Sequence, residues 1–276
     1  MSKNKKAPFK QPLDNQVVWI TGASAGIGEA LAIELAKQGA RLVLSARRAP
    51  QLQRVADRCQ LINGLSHMVL PFDVTDRQAA ESAYQMLIAE CGHLDWLINN
   101  AGVSQRALVL DTLPEVDRQI MALDYFAPVD LTRLVLPDLL ARRSGRLVYI
   151  SSVAGLVGTQ YRASYAAAKA AIHLWANSLR AEVADQGIQV SVIFPGFVNT
   201  DVSVNALVGD GTALGSMDEA QANAMAADAF AAQAVRGLLR GQDYLVIGGA
   251  KERFATLLGR VSPSMLYRVV RRSQVR

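Results

Sequence analysis

Tyr165 and Lys169 have residue types and a spacing that suit acid–base chemistry. They stand four residues apart, so on a helix their side chains would lie on the same face, about one turn apart. A tyrosine in water has a pKa of about 10 and is a weak acid at neutral pH. A lysine ammonium on the same face favours the phenolate. The pair therefore predicts a group that gives a proton to a reacting oxygen or takes one from it.

A glycine-rich turn over residues 21–28 is the second candidate site. Gly22, Gly26 and Gly28 allow the backbone to approach a pyrophosphate, whose charge is favoured by the N-terminus of a helix. The turn follows the first predicted strand and opens the first predicted helix, which is where α/β folds bind dinucleotides. Its spacing is G-x-x-x-G-x-G and not the more widespread G-x-G-x-x-G.

The elements that must position these residues alternate along the chain, with short β-branched runs between longer segments of helical period. Alternating apolar strands and helices favour a parallel sheet with helices on both faces. Right-handed crossovers then predict a single-domain, Rossmann-like, doubly wound α/β fold. The predicted strands are residues 17–21, 41–46, 68–72, 95–99, 146–151, 189–194 and 244–247, and the first predicted helix, 26–37, is stopped by Gly39.

The chain is predicted to divide into three parts. Residues 1–13 form a basic, flexible leader, residues 14–250 the catalytic domain, and residues 251–276 a basic C-terminal tail. Within the domain, residues 201–222 lack a clear period and carry several glycines, which is typical of a lid or binding loop.

Further motifs, each after the expected element, resemble the short-chain dehydrogenase/reductase family. Asn99-Asn100-Ala101-Gly102 follows the fourth predicted strand, and Ser152 stands thirteen residues before the Y-x-x-x-K of Tyr165 and Lys169. Pro195-Gly196 ends the sixth strand, with Thr200 after it. The motifs cover nearly the entire chain, and residues 45–48 and 158–165 resemble the branch that includes the 11β-hydroxysteroid dehydrogenases and related carbonyl reductases.

The resemblance implies an oxidoreductase that transfers a hydride between a nicotinamide cofactor and a carbonyl or secondary alcohol. Tyr165 would donate or accept the proton, Lys169 would also hold the nicotinamide ribose, and Ser152 would hydrogen-bond the substrate oxygen. Asp73-Val74 resembles the family's adenine-contacting pair. The implied cofactor contacts are Gly22, Ser24, Gly26, Ile27, Gly28, Arg47, Asp73, Val74, Asn100, Ala101, Gly102, Tyr165, Lys169, Pro195, Gly196, Val198 and Thr200.

The segment after the second strand favours NADP over NAD. NAD-binding relatives place an acidic residue there to bind the ribose 2′-hydroxyl. Here the segment is Ser45-Ala46-Arg47-Arg48, which has no carboxylate. Arg47 is suited to a 2′-phosphate, and Ser45 could add a hydrogen bond.

Asp124 is where the sequence departs from the family. The resemblance places an Asn there, whose main-chain carbonyl holds a water that relays protons to the lysine. Pro128 has no N–H and cannot close a helical bond to the Asp124 carbonyl, so the carbonyl should stay free. An ionised Asp124 near Lys169 would oppose formation of the phenolate. The alternative is that Asp124 faces solvent and merely tolerates the exchange.

Composition and charge exclude several classes of protein. With 51% hydrophobic and 19% charged residues, global disorder is not expected. Two cysteines, three scattered histidines and no run of about eighteen apolar residues argue against a disulfide framework, a metal site and a membrane span. The net charge of +5 is concentrated at the two ends. Basic ends can bind nucleic acid or anionic lipid, but we expect solvated termini and a cytoplasmic protein.

The substrate is left open by the sequence. We expect an apolar steroid-like, lipid or xenobiotic carbonyl or alcohol, with specificity set by residues 103–112, 156–161 and 201–222. One alternative is a 3-oxoacyl-thioester reductase, and another is a cofactor-binding sensor or scaffold with poor turnover. The Ala-rich segment 163–183 could pair with its copy, so a homodimer or homotetramer is expected.

Overall fold

The computed structural model describes residues 11–216 and 224–271, and a parallel seven-stranded sheet forms its centre. The strands of this sheet are β1 (Val17–Thr21), β2 (Arg41–Ala46), β3 (Met68–Pro71), β4 (Trp96–Asn99), β5 (Gly145–Ile150), β6 (Ile188–Pro195) and β9 (Tyr244–Ile247). Their order in the sheet is β3-β2-β1-β4-β5-β6-β9, as in a doubly wound fold, so the predicted fold class is confirmed. A separate parallel pair joins β7 (Val198–Asn199) to β8 (Met225–Ala226).

Strand β1 shows why the central strands are apolar on both sides. All five of its residues are buried, and successive side chains alternate between two hydrophobic clusters. Val18 and Ile20 belong to one cluster, and Val17 and Trp19 to the other. The sheet therefore separates two cores, and each needs its own layer of helices.

Helices cover both faces of the sheet. Helices α1, α2 and α7 pack over the cluster of Val18, and α3, α5 and α6 over the cluster of Trp19. The helices are α1 (Gly26–Lys37), α2 (Ala49–Asn63), α3 (Arg77–Cys91), α4 (Pro114–Met121), α5 (Ala127–Arg142), α6 (Ala163–Glu182), α7 (Ala227–Leu239), α8 (Ala250–Val261) and α9 (Pro263–Val270). In the part of the chain that the structure describes, none has the length and apolar composition to cross a bilayer.

A π-helical turn, Ala122–Phe126, joins α4 to α5. The Ala127 N–H donates to the carbonyl of Ala122, five residues back. Because Pro128 cannot donate to the carbonyl four residues before it, the regular helical pattern cannot continue through this point. Single π turns inside helices are frequent at functional sites, and this one carries Asp124.

The three predicted parts of the chain differ in how much the structure describes. Leu13, placed in the leader, is buried in the core, and residues 1–10 lie outside the described residues. Residues 201–216 are irregular, and Leu207 in them bridges to Gln105 and Ala213. Residues 217–222 of the expected lid lie outside the described range. Most of residues 251–271, predicted as a basic tail, belongs to α8 and α9.

Candidate active site

Ser152, Tyr165 and Lys169 meet at the carboxyl end of β5. Ser152 is the second residue after that strand. Tyr165 and Lys169 lie on one face of the first turns of α6, with the Lys169 Nζ 5.8 Å from the centre of the Tyr165 ring. Lys169 Nζ donates to the carbonyl of Ile150 at 3.0 Å. The Ser151 hydroxyl donates to the Lys169 carbonyl at 2.8 Å, which ties α6 to the end of the strand.

Two close contacts fix Ser152 beside α6. Its Oγ accepts a hydrogen bond from the Ala154 N–H at 3.1 Å, which leaves the hydroxyl hydrogen to donate elsewhere. A Cβ on Gly155 would stand 2.7 Å from the carbonyl carbon of Lys169, so this turn approaches the helix as closely as only glycine permits. The structure therefore brings together the three residues that the Y-x-x-x-K pattern and its partner serine predict.

Asp124 is part of this group and does not face solvent, so the solvent-facing alternative is wrong. The side chain is 1% exposed, its Oδ2 lies 3.2 Å from Lys169 Nζ, and its Oδ1 accepts from the Val103 N–H at 2.9 Å. The π turn places the carboxylate against a lysine that is itself 5% exposed. The result is a buried ion pair one helical turn from Tyr165.

Burial and the charge of the partner have opposite effects on the pKa of each residue in this pair. Burial works against the ammonium of Lys169, but the Asp124 carboxylate, helped by Tyr165, outweighs it and raises the pKa of the lysine. Burial also raises the pKa of Asp124, against Lys169 and the Val103 N–H, which favour the carboxylate. Since the carboxylate has both a cation at 3.2 Å and an N–H donor, we take the ion pair as the form present near neutral pH.

The glycine-rich turn is held against the end of β4. Asn100 Nδ2 donates to the carbonyls of Thr21 and Gly22 at 2.9 and 3.2 Å, and the Thr21 hydroxyl accepts from the N–H of Asn100 and of Ala101. A Cβ on Gly22 would lie 2.9 Å from Ala101 Cα, and one on Gly28 would lie 2.2 Å from the Gly22 carbonyl oxygen. Glycine is therefore required at both positions by contact alone.

The rest of the predicted cofactor residues lie around this turn or at neighbouring strand ends. Gly102 stands between the turn and the ion pair, because a Cβ there would lie 3.1 Å from Lys169 Nζ. A Cβ on Gly26 would lie 3.2 Å from Thr200 Cγ2, so the loop after β6 reaches the turn. Pro195 and Gly196 end β6, Val198 is buried in β7, Ile27 packs on the core from α1, and Asp73 and Val74 follow β3.

The arginine pair after β2 differs from the predicted arrangement. Arg47 and Arg48 are both exposed, and Arg48 donates to the Ser24 hydroxyl of the glycine-rich turn at 3.2 Å. Ser45 is fully buried and accepts from the Trp19 indole N–H at 2.9 Å, so its predicted bond to a 2′-phosphate is wrong. Because side chains alternate between the two faces of β2, Ser45 lies on the face of the sheet that carries Trp19.

Gln105 is a site residue that the motifs did not reveal. Its side chain is fully buried, and its Oε1 accepts from the N–H of Ser164 at 2.9 Å and of Tyr165 at 3.4 Å. Its Nε2 donates to the Thr112 hydroxyl at 3.2 Å. Gln105 therefore caps the helix that carries Tyr165 and joins it to the loop before α4. The only sequence signal was a polar residue three positions after Gly102.

Each of the three histidines has a polar partner within the protein. His67 Nδ1 accepts from the Leu42 N–H, His93 pairs with Asp95, and His173 bonds Asn177. Within residues 11–216 and 224–271, no cluster of three or more metal-ligating side chains occurs. Both cysteines are free.

The chain belongs to the short-chain dehydrogenase/reductase family. The family model for short chain dehydrogenases matches residues 16–208, which is well over half of the chain. The chain is thus a member of an oxidoreductase family whose fold binds a nicotinamide dinucleotide. The resemblance drawn from the motifs is confirmed.

One similar relative is the Dehydrogenase/reductase SDR family protein 7-like of Drosophila melanogaster, 36% identical over 271 residues, with 97% of this chain and 83% of the relative covered. A solved metagenomic short-chain oxidoreductase in complex with NADP is 26% identical, with a TM-score of 0.71 over 86% of this chain and 98% of that one. A short-chain dehydrogenase/reductase of Burkholderia phymatum in complex with NAD is 20% identical and shares the fold, with a TM-score of 0.81 over 92% and 96%.

Proposed function

We propose that this protein is an NADP-dependent oxidoreductase that interconverts a carbonyl and a secondary alcohol on an apolar substrate. One observation carries the proposal. Tyr165, Lys169 and Ser152 meet at the carboxyl end of the parallel sheet, beside a glycine-rich turn that opens α1. Ligands of open α/β sheets bind at this end, and the three groups are those that proton transfer to an oxygen atom requires.

The residues present fit a nicotinamide dinucleotide. Gly22 and Gly28 let the backbone of the turn lie against neighbouring backbone, and α1 begins within the turn at Gly26. That is an anion site suited to a pyrophosphate. Lys169, with the strip from Asn100 to Gly102, would face the nicotinamide half of the cofactor. When bound, the cofactor supplies or accepts the hydride.

The chain's own residues manage the proton. The Tyr165 hydroxyl gives its proton to the substrate oxygen on reduction and takes it back on oxidation. Lys169 stabilises the phenolate that remains, because its ammonium lies on the same face of α6. Ser152 holds the substrate oxygen with the hydroxyl hydrogen that its bond from Ala154 leaves available. Asp124 raises the pKa of Lys169 and so keeps it charged. Its negative charge also offsets part of the effect of the ammonium on Tyr165.

The NADP preference rests on the end of β2. No carboxylate follows Ser45 there, Arg48 donates to Ser24 of the glycine-rich turn, and the neighbouring Arg47 is exposed. Guanidinium groups bind phosphates by paired, charge-assisted hydrogen bonds. A 2′-phosphate is the part of NADP that these side chains suit and that NAD lacks.

The apolar substrate class rests on the loop before α4. Leu108, Val109, Leu110 and Leu113 are all exposed there, with Leu110 at 98%. The loop meets the irregular 201–216 stretch, since the Leu113 N–H donates to the Gly209 carbonyl at 2.9 Å. Apolar side chains at the mouth of a site favour apolar ligands.

We also propose that the protein is a homodimer or homotetramer. Phe126, next to α5, and Leu174, on α6, are both exposed and support this proposal.

The test is NADPH oxidation measured against ketones of increasing apolar surface and against 3-oxoacyl thioesters, with NADH in parallel. We expect turnover of apolar ketones with NADPH. Turnover confined to the thioesters would replace this proposal by a thioester reductase. Cofactor binding in a direct titration without turnover of any compound would indicate a sensor or scaffold.

A further inference from the structure

Helices α8 and α9 expose an apolar surface that no part of the proposed reaction uses. Phe254, Leu257 and Val261 follow one another at spacings of three and four, so they form one stripe along α8. They are 62%, 60% and 77% exposed. On α9, Met265, Tyr267 and Val269 are also at least half exposed, with Met265 and Val269 on one side of the helix and Tyr267 on another. We call the α8 stripe of Phe254, Leu257 and Val261 the C-terminal apolar surface.

This surface is held in place and is not a loose end. Arg260 of α8 stacks on the Tyr244 ring of the edge strand β9, with 4.6 Å between the guanidinium carbon and the ring centre. Leu266, the buried residue of α9, packs onto α8 where Gly259 leaves room for it. Leu266 thus points towards α8, and the apolar stripe of α8 stays in contact with solvent.

Basic residues accompany the apolar stripe along the two helices. Residues 250–271 contain five basic side chains, Lys251, Arg253, Arg260, Arg268 and Arg271, against the single carboxylate of Glu252. A helix with one apolar face and basic residues beside it binds in the interface of an anionic bilayer, where apolar burial and attraction to lipid headgroups add. Large exposed apolar patches on soluble domains mark interaction sites.

Two other occupants fit the charge less well. A second copy of the chain in a two-fold contact would bring the same cations against each other. A nucleic acid would use the arginines through its phosphates but leave the three apolar side chains of the stripe in water. We propose that the C-terminal apolar surface docks the protein onto the surface of a membrane rich in anionic lipid, without crossing it.

The experiment is flotation of the full chain with vesicles, one set of phosphatidylcholine alone and one that also contains phosphatidylglycerol. We expect the protein to float with the second set only, and less at high salt, because salt screens the attraction to headgroups. Leu257→Asp should reduce the floating fraction by about tenfold or more, since it places a carboxylate in the apolar stripe. The double variant Lys251→Gln and Arg253→Gln tests whether these two cations contribute to vesicle binding, and it should also float less than the native chain.

Leu61→Asp is the matched control, because Leu61 is 88% exposed on α2, away from this surface, and should float like the native chain. No flotation of the native chain, or flotation of Leu257→Asp and the double glutamine variant at the native level, overturns the proposal. So does equal flotation with both vesicle sets. A change of oligomeric mass in Leu257→Asp without any vesicle binding assigns the surface to a second copy instead. Flotation needs no turnover, so its result is independent of the reaction proposed above.

Discussion

The two charged regions of the site are built in opposite ways. Lys169 and Asp124 are buried and paired at 3.2 Å, whereas Arg47 and Arg48 are exposed at the end of β2. Charges in a dry interior interact strongly and are little screened, and exposed charges are screened by water and salt. In the reaction we propose, the buried region would therefore act on the proton of Tyr165, and the exposed region on which cofactor binds and how tightly. Substitutions in the two regions should separate these effects.

Tyr165→Phe should give the largest effect. The variant loses the proton donor but keeps the ring on α6, so turnover should fall by about 10²- to 10⁴-fold. NADPH affinity should change little. The measurements are steady-state rates and a separate cofactor titration. Tyr267→Phe, at an exposed tyrosine of α9, is the matched control and should keep the native rate. Near-native turnover of the Tyr165 variant would remove that residue from the mechanism.

Replacement of the arginines should give the next largest effect, and it should change the affinity for NADPH and not the maximal rate. A lost charge-assisted hydrogen bond is worth roughly 1.5–3 kcal/mol, or about ten- to a hundred-fold. Arg47→Ala should weaken NADPH binding by this factor, leave NADH binding nearly unchanged and preserve the maximal rate. Arg48→Ala, which also breaks the bond to Ser24, separates the two guanidinium groups. The predicted preference would be contradicted if the native protein bound NADPH and NADH equally well. It would also be contradicted if the difference between the two affinities stayed the same in both variants.

Gln105→Leu tests how far the buried region extends. It removes the acceptor of the Ser164 and Tyr165 N–H groups and leaves them inside the protein without that partner. An unsatisfied buried donor costs about 1–3 kcal/mol, and a misplaced Tyr165 should lower the maximal rate by about tenfold with little change in cofactor affinity. Thr112→Val breaks the same network on the loop side and should mainly change the apparent affinity for substrate. If both variants changed the maximal rate and the apparent affinity for substrate to the same extent, Gln105 would only support folding.

Sequence reasoning works where the signal is local. The bounds of β1, α1, β2 and β9 are those predicted, because the apolar runs of the strands, and the helical period and following Gly39 of α1, are read from consecutive residues. Ser45, Asp124 and Gln105 show where it ends. Whether residue 45 faces the sheet or the cofactor depends on strand register, and Asp124 and Gln105 bond to partners 45 and about 60 positions away. The spacing of Phe254, Leu257 and Val261 is also a local helical signal, and it lies within the segment predicted as a basic tail.

Asp124→Asn should give the smallest change in rate and the most specific change in pH dependence. An asparagine oxygen can still accept from the Val103 N–H, and the main chain of the π turn is untouched, so the maximal rate should stay within about a few-fold. The negative charge beside Lys169 is lost, however. That carboxylate raises the pKa of Lys169 and neutralises part of its field, so without it the ammonium acts more fully on the phenolate and alcohol oxidation should set in at lower pH.

A pH–rate profile of alcohol oxidation for the native chain and the Asn variant measures this shift, and Asp124→Ala, which also removes the acceptor of the Val103 N–H, is its control. The sensor hypothesis expects the reverse pattern, a nearly silent native protein that the Asn substitution activates by a large factor. An unchanged profile with an unchanged rate would mean that the ion pair serves only to hold α6 against the π turn. In that case Lys169 would act on Tyr165 through a field that Asp124 does not modulate, and Asp124 would leave the catalytic group.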